Sequence, residues 1–391
     1  MSKKPSRVKN ILMLVSNPVT NDPRVTKEAE SLVQIASITI LSFYYGQIKF
    51  KRLEKKGGYR IIRTRFSKVN FHKNVFDLAK YFWSMNYFYI REGIRMKPDI
   101  VHSHNLDTLL AGYLIKRKTG AKLIYDAHEI WFEQGLALPG LVLKIFRILE
   151  KYLLKKIDGL ISVNLSIIKA LAKIHKIKFP YPTVFLYNCP ALRKHQQGNN
   201  FSNFENRTIV LYQGGYMDNR GLEELILANQ YFVPEIVTLL RIVFPDKKSS
   251  QKLIDLIGKH RLQNRIFLLK PVPLEKIVEG TIGADIGIIP YLPVNINNQL
   301  TSPNKLFEYC HGGLAVAASN VPELKNFIRK YNNGILFNPK EPQDIADKIN
   351  RLVKNRPLLE QKKQNSLLFA KVINWQKEEK KLIRFYQIVQ G

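Results

Sequence analysis

The sequence has very few cysteines, since only Cys189 and Cys310 occur among its 391 residues. Neither lies in a CxxC motif, so a disulfide framework is excluded and a reducing, cytoplasmic compartment is expected. Long apolar runs are also lacking, and no stretch approaches the roughly 18 apolar residues of a transmembrane helix. Residues 11–15 are apolar, but Pro18 and its polar neighbours end this run too early for a secretion signal. We interpret the run as a first buried strand.

Acidic residues are scarce relative to basic ones. The chain has 31 Asp and Glu against 62 Lys and Arg, a formal net charge of +31. Such an excess favours an anionic partner, which charge alone leaves open among nucleic acid, a phosphorylated substrate and an anionic membrane surface. No recognised nucleic-acid motif is present, so specific nucleic-acid binding is not expected.

The length and the repeating pattern predict two domains. Short apolar runs alternate with amphipathic stretches before residue 165 and again after residue 208, which is typical of parallel βαβ units. Between them, residues 178–207 are rich in proline and then in polar residues, as in a linker. The sequence therefore predicts an α/β protein with two doubly wound Rossmann-like domains facing a central cleft. Their expected bounds are 1–190 and 191–366, and residues 367–391 are expected to form a helix that packs back towards the N-terminal domain.

A proline-interrupted polar loop follows the first predicted strand. Asn21 or Asp22 could cap a helix whose first turn accepts Pro23. Arg24 and Lys27 then lie near a helix N-terminus, which suits an acceptor or phosphate group. An ordinary capped helix with basic residues on its surface explains the same pattern.

The segment Asp126-Ala127-His128-Glu129 follows a predicted buried strand. His128 could donate a hydrogen bond to a leaving phosphate or a sugar hydroxyl, with Asp126 and Glu129 orienting it. A loop histidine satisfied by a neighbouring carboxylate is the alternative.

A second polar cluster follows the preceding strand. It contains His102, His104, Asn105 and Asp107, and its groups suit hydroxyl binding. Zinc is a conceivable ligand of such histidines, but no cysteine lies nearby and no HExxH motif occurs. We therefore expect no metal site.

Two glycines, Gly214 and Gly215, follow the first strand of the second predicted domain. Glycines there let backbone N–H groups approach a ligand, and Arg220 could pair with a diphosphate. The segment matches neither GxGxxG nor GxxxxGK[ST], and a plain strand–turn–helix connection is the alternative.

The stretch TSPNKLFEYCHGG predicts a short helix that begins at Pro303 or Asn304 and ends at its glycine pair. Lys305 and Glu308 lie three residues apart on one face. A surface ion pair, worth about 0–1 kcal/mol, is one explanation. Alternatively, the lysine holds a phosphate at the helix N-terminus and the carboxylate accepts two hydrogen bonds from the ribose diol.

Two basic amphipathic segments suit an anionic membrane surface. They are residues 71–95, which mix aromatic and basic side chains, and residues 140–156, GLVLKIFRILEKYLLKK. A core-packed helix with a solvated basic face explains the same pattern, and the sequence leaves both interpretations open.

Taken together, these segments resemble glycosyltransferase family 4, retaining enzymes of the GT-B fold. The resemblance is carried, in the expected order, by NDPRVTKEAESL, VHSHN, YDAHE, LEKYLLKKIDGLISVN, YQGGYMDNRGLEELILA and SPNKLFEYCHGGLAVAASNVPEL. It implies a nucleotide-sugar donor bound mainly by the C-terminal domain, and transfer that retains the anomeric configuration. It also implies that Glu308 binds the donor ribose, that Arg220 and Lys305 bind the diphosphate, and that His128 lies by the transferred sugar. No metal ion is implied, and the chain contains no DxD motif.

The chain departs from the family pattern at three positions. Leu300 stands eight residues before Glu308, where the family commonly has a second glutamate. Gly215 stands where an arginine is expected, and Arg220 where lysine is usual. The resemblance predicts transfer to a glycan or lipid-linked acceptor in surface polysaccharide or glycolipid synthesis, by a cytoplasmic protein peripheral to the inner membrane face. The alternatives are a sugar-nucleotide epimerase of the GT-B type and a non-catalytic basic binding protein.

Overall fold

The computed structural model describes residues 9–45, 49–66, 75–133, 138–193 and 198–391. The chain forms two compact units. The first unit comprises Met1–Leu186 together with Lys377–Gly391, and the second comprises Tyr187–Gln376. Each unit is an α/β structure built on a mainly parallel sheet, which confirms the predicted fold class.

The first unit contains one sheet flanked by helices. Its strands are β1 (Asn10–Val15), β2 (Ser37–Tyr44), β3 (Leu53–Lys56), β4 (Tyr59–Arg65), β5 (Ile100–His104), β6 (Lys122–Ala127), β7 (Gly159–Ser162) and β8 (Thr183–Phe185). Its helices up to this point are α1 (Pro23–Leu32), α2 (Val75–Met96), α3 (Leu106–Thr119), α4 (Gly140–Leu153) and α5 (Leu165–His175).

The order of strands in this sheet is β3-β4-β2-β1-β5-β6-β7-β8. Neighbouring strands are parallel except for β3 and β4. Because β1 lies between β2 and β5, the strand order reverses there, and ligands of open α/β sheets bind beyond the strand ends at such a point. The loop before α1 and the ends of β5 and β6 lie at this position.

The second unit repeats the architecture with a sheet in the order β11-β10-β9-β12-β13-β14, all parallel. Its strands are β9 (Thr208–Gly215), β10 (Ile236–Val243), β11 (Ile266–Leu269), β12 (Ile286–Ile289), β13 (Ala315–Ser319) and β14 (Gly334–Phe337). Its helices are α6 (Leu222–Ala228), α7 (Lys247–Lys259), α8 (Ile296–Leu300), α9 (Asn304–His311), α10 (Pro322–Tyr331), α11 (Pro342–Lys354) and α12 (Arg356–Val372). The strand order reverses between β9 and β12.

The central strands of the sheets, such as β1, β12 and β13, are near-continuous apolar runs because helices cover both faces of the sheet there. Residues 315–319, AVAAS, are buried at every position, and so are residues 286–289, IGII. Small residues let helices approach these strands closely. A Cβ on Gly287 would lie 2.3 Å from the ring of Tyr309 in α9, so α9 packs directly on β12. This packing fixes the position of Lys305 and Glu308.

The prediction of one closing helix over residues 367–391 is wrong. Helix α12 ends at Val372, and α13 (Trp375–Gln390) is a separate helix. The Nδ2 of Asn374 donates to the carbonyls of Ala370 and Lys371, at 3.0 and 3.1 Å, and so satisfies the end of α12. Apolar periodicity continues across this break, which is why the sequence pattern conceals it. Among the described helices, none combines the length and apolar character needed to cross a membrane.

Candidate functional site

In the first unit, charged and histidine side chains come together near the strand ends where the strand order reverses. We call them the histidine cluster: Arg24 and Glu28 of α1, His102 and His104 of β5, Asp126 of β6, and His128 just after β6. They come together because α1 follows β1, and because β5 and β6 run side by side with His104 in register with Asp126.

Arg24 is held by Asp126. Its Nε and Nη2 each donate to a different oxygen of that carboxylate at 2.8 Å, and its Nη1 donates to the carbonyl of Leu186 at 2.8 Å. The expectation that Arg24 waits near a helix N-terminus for an external anion is therefore wrong. Arg24 is buried, and Asp126 is already the anion that it binds. Such a two-pronged pair is strong and directional.

The cap of α1 is Asp22 rather than Asn21. Asp22 accepts a hydrogen bond from the backbone N–H of Val25 at 3.1 Å and one from the side-chain amide of Asn17 at 2.8 Å. Pro23 occupies the first turn, as predicted. Asn21 is exposed in the loop, where it is free to meet a ligand in solution.

His128 is the exposed member of the cluster, with 19% of its side chain accessible, whereas His102 and His104 are buried. Its Nε2 lies 3.0 Å from Asp126 Oδ2 and 3.2 Å from His104 Nδ1. Burial alone lowers the pKa of His128, but the charge and hydrogen bond of Asp126 outweigh it and raise that pKa. Asp126 therefore orients His128 and favours its protonated form, while Glu129 follows, half-buried, as the next residue.

The loop that carries His128 is positioned by Asn105. Its backbone N–H donates to the carbonyl of Asp126 at 2.9 Å, and its Oδ1 accepts from the backbone N–H of His128 at 3.3 Å. Asn105 has a φ of 64° and a ψ of 168°, a combination outside the left-handed helical region that strains a residue other than glycine. Asn105 therefore positions the loop, and its contact with a ligand hydroxyl stays a prediction.

His102 and His104 lie behind His128 with their rings stacked, centroids 4.2 Å apart. His102 Nδ1 is 2.8 Å from the hydroxyl of Tyr386 in α13, and its Nε2 is 3.8 Å from Glu28 Oε2. Burial, followed by the neighbouring His104, holds the pKa of His102 well below its usual value, so the ring is neutral. The expectation that His104 binds a ligand hydroxyl directly is corrected, because its ring is buried and supports His128.

Glu28, His102, His104 and Asp126 offer ligand atoms within 4.8 Å of one another. Imidazole nitrogens and carboxylate oxygens form a donor set that could hold zinc. Arg24 already places a positive charge against both carboxylates, with its Nε 3.1 Å from Glu28 Oε1. Burial, together with the nearby Asp126, raises the pKa of Glu28 to about 8 despite this arginine. Near neutral pH the carboxyl group of Glu28 is therefore mostly protonated, and the positive charge of Arg24 is balanced by the negative charge of Asp126.

In the second unit, a cluster of charged, amide and tyrosine side chains lies at the C-terminal ends of β9, β10 and β12. We call it the lysine cluster: Tyr212, Gln213, Arg220, Arg241, Tyr291, Lys305 and Glu308. Lys305 Nζ lies 3.7 Å from the ring centre of Tyr212 and 5.1 Å from that of Tyr291, and Arg220 lies 4.0 Å above the same Tyr291 ring. Two cations therefore lie against the ring of Tyr291.

Lys305 is buried, and its Nζ has no hydrogen-bond acceptor within the part of the chain that the structure describes. Burial, and then the charge of Arg220, holds the pKa of Lys305 well below its usual value, although Glu308 opposes this. An ammonium group that has lost its water and has no acceptor is costly, and an anion placed beside it relieves that cost. The geometry is that of an anion-binding lysine.

Glu308 is held by a different set of partners. Gln213 Nε2 donates to Glu308 Oε2 at 3.2 Å, and Arg241 Nη1 donates to Gln213 Oε1 at 2.7 Å. Lys305 and Glu308 are both buried, so the interpretation of them as a surface ion pair is wrong. The chain of hydrogen bonds from Arg241 through Gln213 to Glu308 holds the carboxylate in place.

The glycines near this cluster have distinct roles. Gly214 has a φ of +145°, and a Cβ there would lie 3.0 Å from Lys305 Nζ. Gly221, which follows Arg220, has a φ of +66°, and a Cβ there would lie 1.8 Å from the carbonyl oxygen of Pro290. Gly215 is exposed, and the nearest atom to a Cβ there is 4.0 Å away. The backbone therefore passes close to Lys305 and close to β12, as only glycine permits.

Helix α9 begins as predicted. Pro303 is its N-cap, with no hydrogen bond from a capping side chain, and Asn304 is its exposed first residue. The helix ends at His311, before Gly312 and Gly313. The N–H groups of its first turn therefore add their partial positive charge to the region of Lys305. Leu300, at the position of the family's commoner glutamate, is the last residue of α8.

Sequence reasoning missed Glu28, Tyr386, Gln213 and Arg241. Glu28 stands four residues after Arg24 on α1, a spacing that pairs charges and could have identified it. Arg241 is a lone charge within the apolar strand IVTLLRIV, and a buried charge needs a partner. The contact of Tyr386 with His102 spans 284 positions, and no local pattern signals it.

Comparisons with known proteins agree with this architecture. The family described as "Glycosyl transferases group 1" matches residues 194–369, and "Glycosyltransferase Family 4" matches residues 41–185. No curated protein sequence matches the chain.

Solved structures share its fold at low sequence identity. Sucrose-phosphate synthase from Thermosynechococcus elongatus is 15% identical, with 97% of this chain and 98% of that chain covered and a TM-score of 0.75. Anabaena HepE in complex with UDP is 14% identical, with 97% and 99% covered and a TM-score of 0.71. The catalytic domain of starch synthase IV from Arabidopsis thaliana, bound to ADP and acarbose, is 12% identical, with 98% and 100% covered and a TM-score of 0.69. The chain is therefore a glycosyltransferase with the GT-B fold, whose first unit matches the family 4 model and whose second unit matches the group 1 model.

Proposed function

We propose that this glycosyltransferase moves a hexosyl group from a nucleotide-sugar donor to a glycan or lipid-linked acceptor with retention of anomeric configuration. It does so in the cytoplasm, at the inner face of a membrane, in surface polysaccharide or glycolipid synthesis. The observation that carries the proposal is Lys305, a buried amino group with no hydrogen-bond acceptor among the described residues, beside Arg220 and the start of α9. A diphosphate would supply the negative charge and the hydrogen-bond acceptors that the Nζ of Lys305 needs.

The lysine cluster serves the nucleotide. Lys305 and Arg220 bind the diphosphate, and the backbone N–H of Asn304, which follows the N-cap Pro303, adds a hydrogen bond to it. Gly214 and Gly215 let the backbone of β9 lie close to the same group. Glu308, fixed through Gln213, accepts two hydrogen bonds from the ribose diol. The UDP and ADP complexes of Anabaena HepE and Arabidopsis starch synthase IV support a nucleotide ligand for this fold.

The histidine cluster serves the transferred sugar. His128 donates a hydrogen bond to a sugar hydroxyl or to the leaving phosphate, and Asp126 keeps it oriented and protonated. Asn21, in the exposed loop before α1, contacts the acceptor. Leu300 offers no carboxylate, so the sugar contacts differ from those of relatives that have a glutamate there.

Transfer then proceeds on one face of the sugar. The bond between the anomeric carbon and the diphosphate oxygen breaks, and the acceptor oxygen bonds to that carbon from the same side. The diphosphate oxygen takes the proton of the acceptor. Lys305, Arg220 and the N-terminus of α9 stabilise the departing charge, so the chain itself supplies the positive charge that this step needs without a metal cofactor.

A thermal-shift screen against UDP-, GDP- and ADP-sugars tests the donor assignment, because a ligand that binds the native state raises its melting temperature. We expect sugar nucleotides of one class to raise the melting temperature of the wild type but not that of the Glu308→Gln variant. The matched control is Glu360→Gln, an exposed glutamate of α12 in the same unit. Equal stabilisation of Glu308→Gln and the wild type would remove Glu308 from the site.

Retention and acceptor use need a second assay. The anomeric configuration of the product, measured by NMR, is expected to equal that of the donor, and inversion would overturn the mechanism. Single turnover is expected to slow with His128→Ala. Donor conversion without any acceptor would instead indicate an epimerase, and salt-sensitive duplex binding without sugar-nucleotide binding would indicate a basic binding protein.

A further inference from the structure

Helix α4 exposes a continuous apolar stripe. Leu141, Ile145, Ile148 and Tyr152 are 70%, 55%, 60% and 49% accessible. Their spacings of four, three and four residues place them on one face of the helix. The opposite face, with Phe146, Glu150 and Leu153, is buried in the first unit. An apolar stripe of this length on a helix surface marks an interaction site.

On the described surface of α4 and the residues that follow it to Lys156, the exposed charged side chains are all basic. Lys144, Arg147 and Lys151 of α4 are exposed, and Lys155 and Lys156 follow its end, also exposed. The single acidic residue of the helix points inward, where Glu150 accepts from the hydroxyl of Tyr125 and contacts His175, each at 2.7 Å. The outer face therefore combines an apolar strip with a cationic border.

The neighbouring helix α2 also exposes aromatic and basic side chains. It contacts α4 through Phe82 and Phe146, whose ring centres are 5.3 Å apart. One turn apart on α2, Trp83 and Tyr87 are each 64% accessible, and the guanidinium of Arg91 lies 6.0 Å from the Tyr87 ring. Tryptophan and tyrosine are the side chains enriched where a lipid headgroup layer meets its acyl chains.

We propose that the apolar stripe of α4 is the docking site of this protein on an anionic lipid membrane. Leu141, Ile145 and Ile148 reach the acyl boundary, while Lys144 and Lys151 contact the headgroup phosphates. A second copy of the chain fits the surface poorly, because facing stripes would bring these lysines against each other on proteins of net charge +31. Charge complementarity therefore selects an anionic lipid surface as the occupant.

This surface deepens the membrane location given under the proposed function, but it does not depend on transferase chemistry. A vesicle-binding measurement requires no donor, no acceptor and no turnover. A protein that binds membranes through α4 yet transfers no sugar would leave this inference standing. A protein that transfers sugar to a soluble acceptor yet ignores vesicles would overturn it.

Co-sedimentation of the full chain with vesicles tests the apolar stripe. Vesicles of phosphatidylcholine alone are compared with vesicles that also contain phosphatidylglycerol. The variant Ile145→Ser with Ile148→Ser is expected to bind the anionic vesicles about tenfold or more weakly, because two inserted side chains are lost. The matched control is Leu368→Ser with Val372→Ser, which changes two equally exposed apolar residues of α12 and should bind like the wild type. Circular dichroism checks that all variants are folded.

The cationic border is tested in the same assay. The variant Lys144→Gln with Lys151→Gln should bind several-fold more weakly, and the control Lys248→Gln with Lys259→Gln on α7 should not. Wild-type binding should fall steeply between about 0.05 M and about 0.5 M salt. Equal binding to neutral and anionic vesicles, or unchanged binding of the stripe variant, would overturn the proposal. Concentration-dependent dimers in analytical ultracentrifugation that the stripe variant abolishes would assign the surface to a second copy instead.

Discussion

Replacing Asp126 by asparagine removes one buried charge while keeping the size of the side chain. Arg24 then keeps two donors, Nε and Nη2, that no longer face a carboxylate at 2.8 Å. Breaking one partner of a buried ion pair costs about 3–5 kcal/mol. Glu28, 3.1 Å from Arg24 Nε, recovers part of this loss, because without Asp126 nearby it ionises more easily. We therefore expect the first unit to lose about 3 kcal/mol, at the lower end of that range.

Differential scanning calorimetry near neutral pH measures this loss. For a unit of roughly 200 residues, about 3 kcal/mol corresponds to a fall of about 6–12 °C in its melting temperature. The matched control is Asp158→Asn in the same unit, which breaks a partly exposed pair with Lys116 and should cost about 1 kcal/mol or less. A shift for Asp126→Asn no larger than that of the control would refute the view that the pair organises the cluster.

Three further changes follow from the same structure. Burial raises the pKa of Glu28 to about 8, so the wild type should lose stability as the pH rises from 4.5 towards 8, and Glu28→Gln should lose less in urea titrations. Gly221→Ala should destabilise the second unit by about 2 kcal/mol or more in calorimetry, because its Cβ would meet the carbonyl of Pro290 and its φ is positive. Tyr386→Phe leaves His102 Nδ1 buried without its partner and should lower the stability of the first unit by about 1–2 kcal/mol in thermal unfolding.

Each of these three predictions has an outcome that would contradict it. Parallel pH profiles for Glu28→Gln and the wild type would show that the carboxyl stays ionised beside Arg24. A neutral Gly221→Ala would contradict the close approach of that turn to β12, and Gly258→Ala in α7, where the nearest atom to a Cβ is 3.8 Å away, serves as its control. An unchanged melting temperature for Tyr386→Phe would mean that α13 does not support the histidine cluster.

Much of the second unit could be predicted from local sequence. The proline-led entry and the glycine exit of residues 301–313 specify the start and the end of α9, and the lysine–glutamate spacing places both side chains on one face. They also specify that Lys305 and Glu308 lie near its first turn. Their burial could not be predicted, because it depends on Tyr212 and Tyr291, which arrive from β9 and from the segment after β12.

The first unit shows where local patterns mislead. Arg24 has the sequence surroundings of an anion-binding residue at a helix N-terminus. Its actual anion, Asp126, lies 102 positions away and becomes a neighbour only when β6 joins the sheet two strands from β1. Likewise His102 and His104 have the sequence pattern of ligand-binding residues at a strand end, but Tyr386 and His128 cover them.

Helix α4 shows what apolar periodicity in a sequence cannot predict. Its periodicity predicts an amphipathic helix correctly, but periodicity alone does not say which apolar residues face the core. The structure buries Phe146 and Leu153 and leaves Ile145 and Ile148 in solvent. The sequence left the membrane and core interpretations open, and the structure shows that one face of α4 packs on the core while the other lies in solvent.

The measurement that tests the central claim most directly is a calorimetric titration of Lys305 variants with the nucleoside diphosphate selected by the donor screen. Burial and Arg220 hold the pKa of Lys305 well below its usual value, and a bound diphosphate raises it, so wild-type binding should take up a proton and weaken as the pH rises. Lys305→Met should bind about 10–100-fold more weakly, without proton uptake, because a charge-assisted contact is lost. Lys305→Met with the affinity and proton uptake of the wild type would contradict the account.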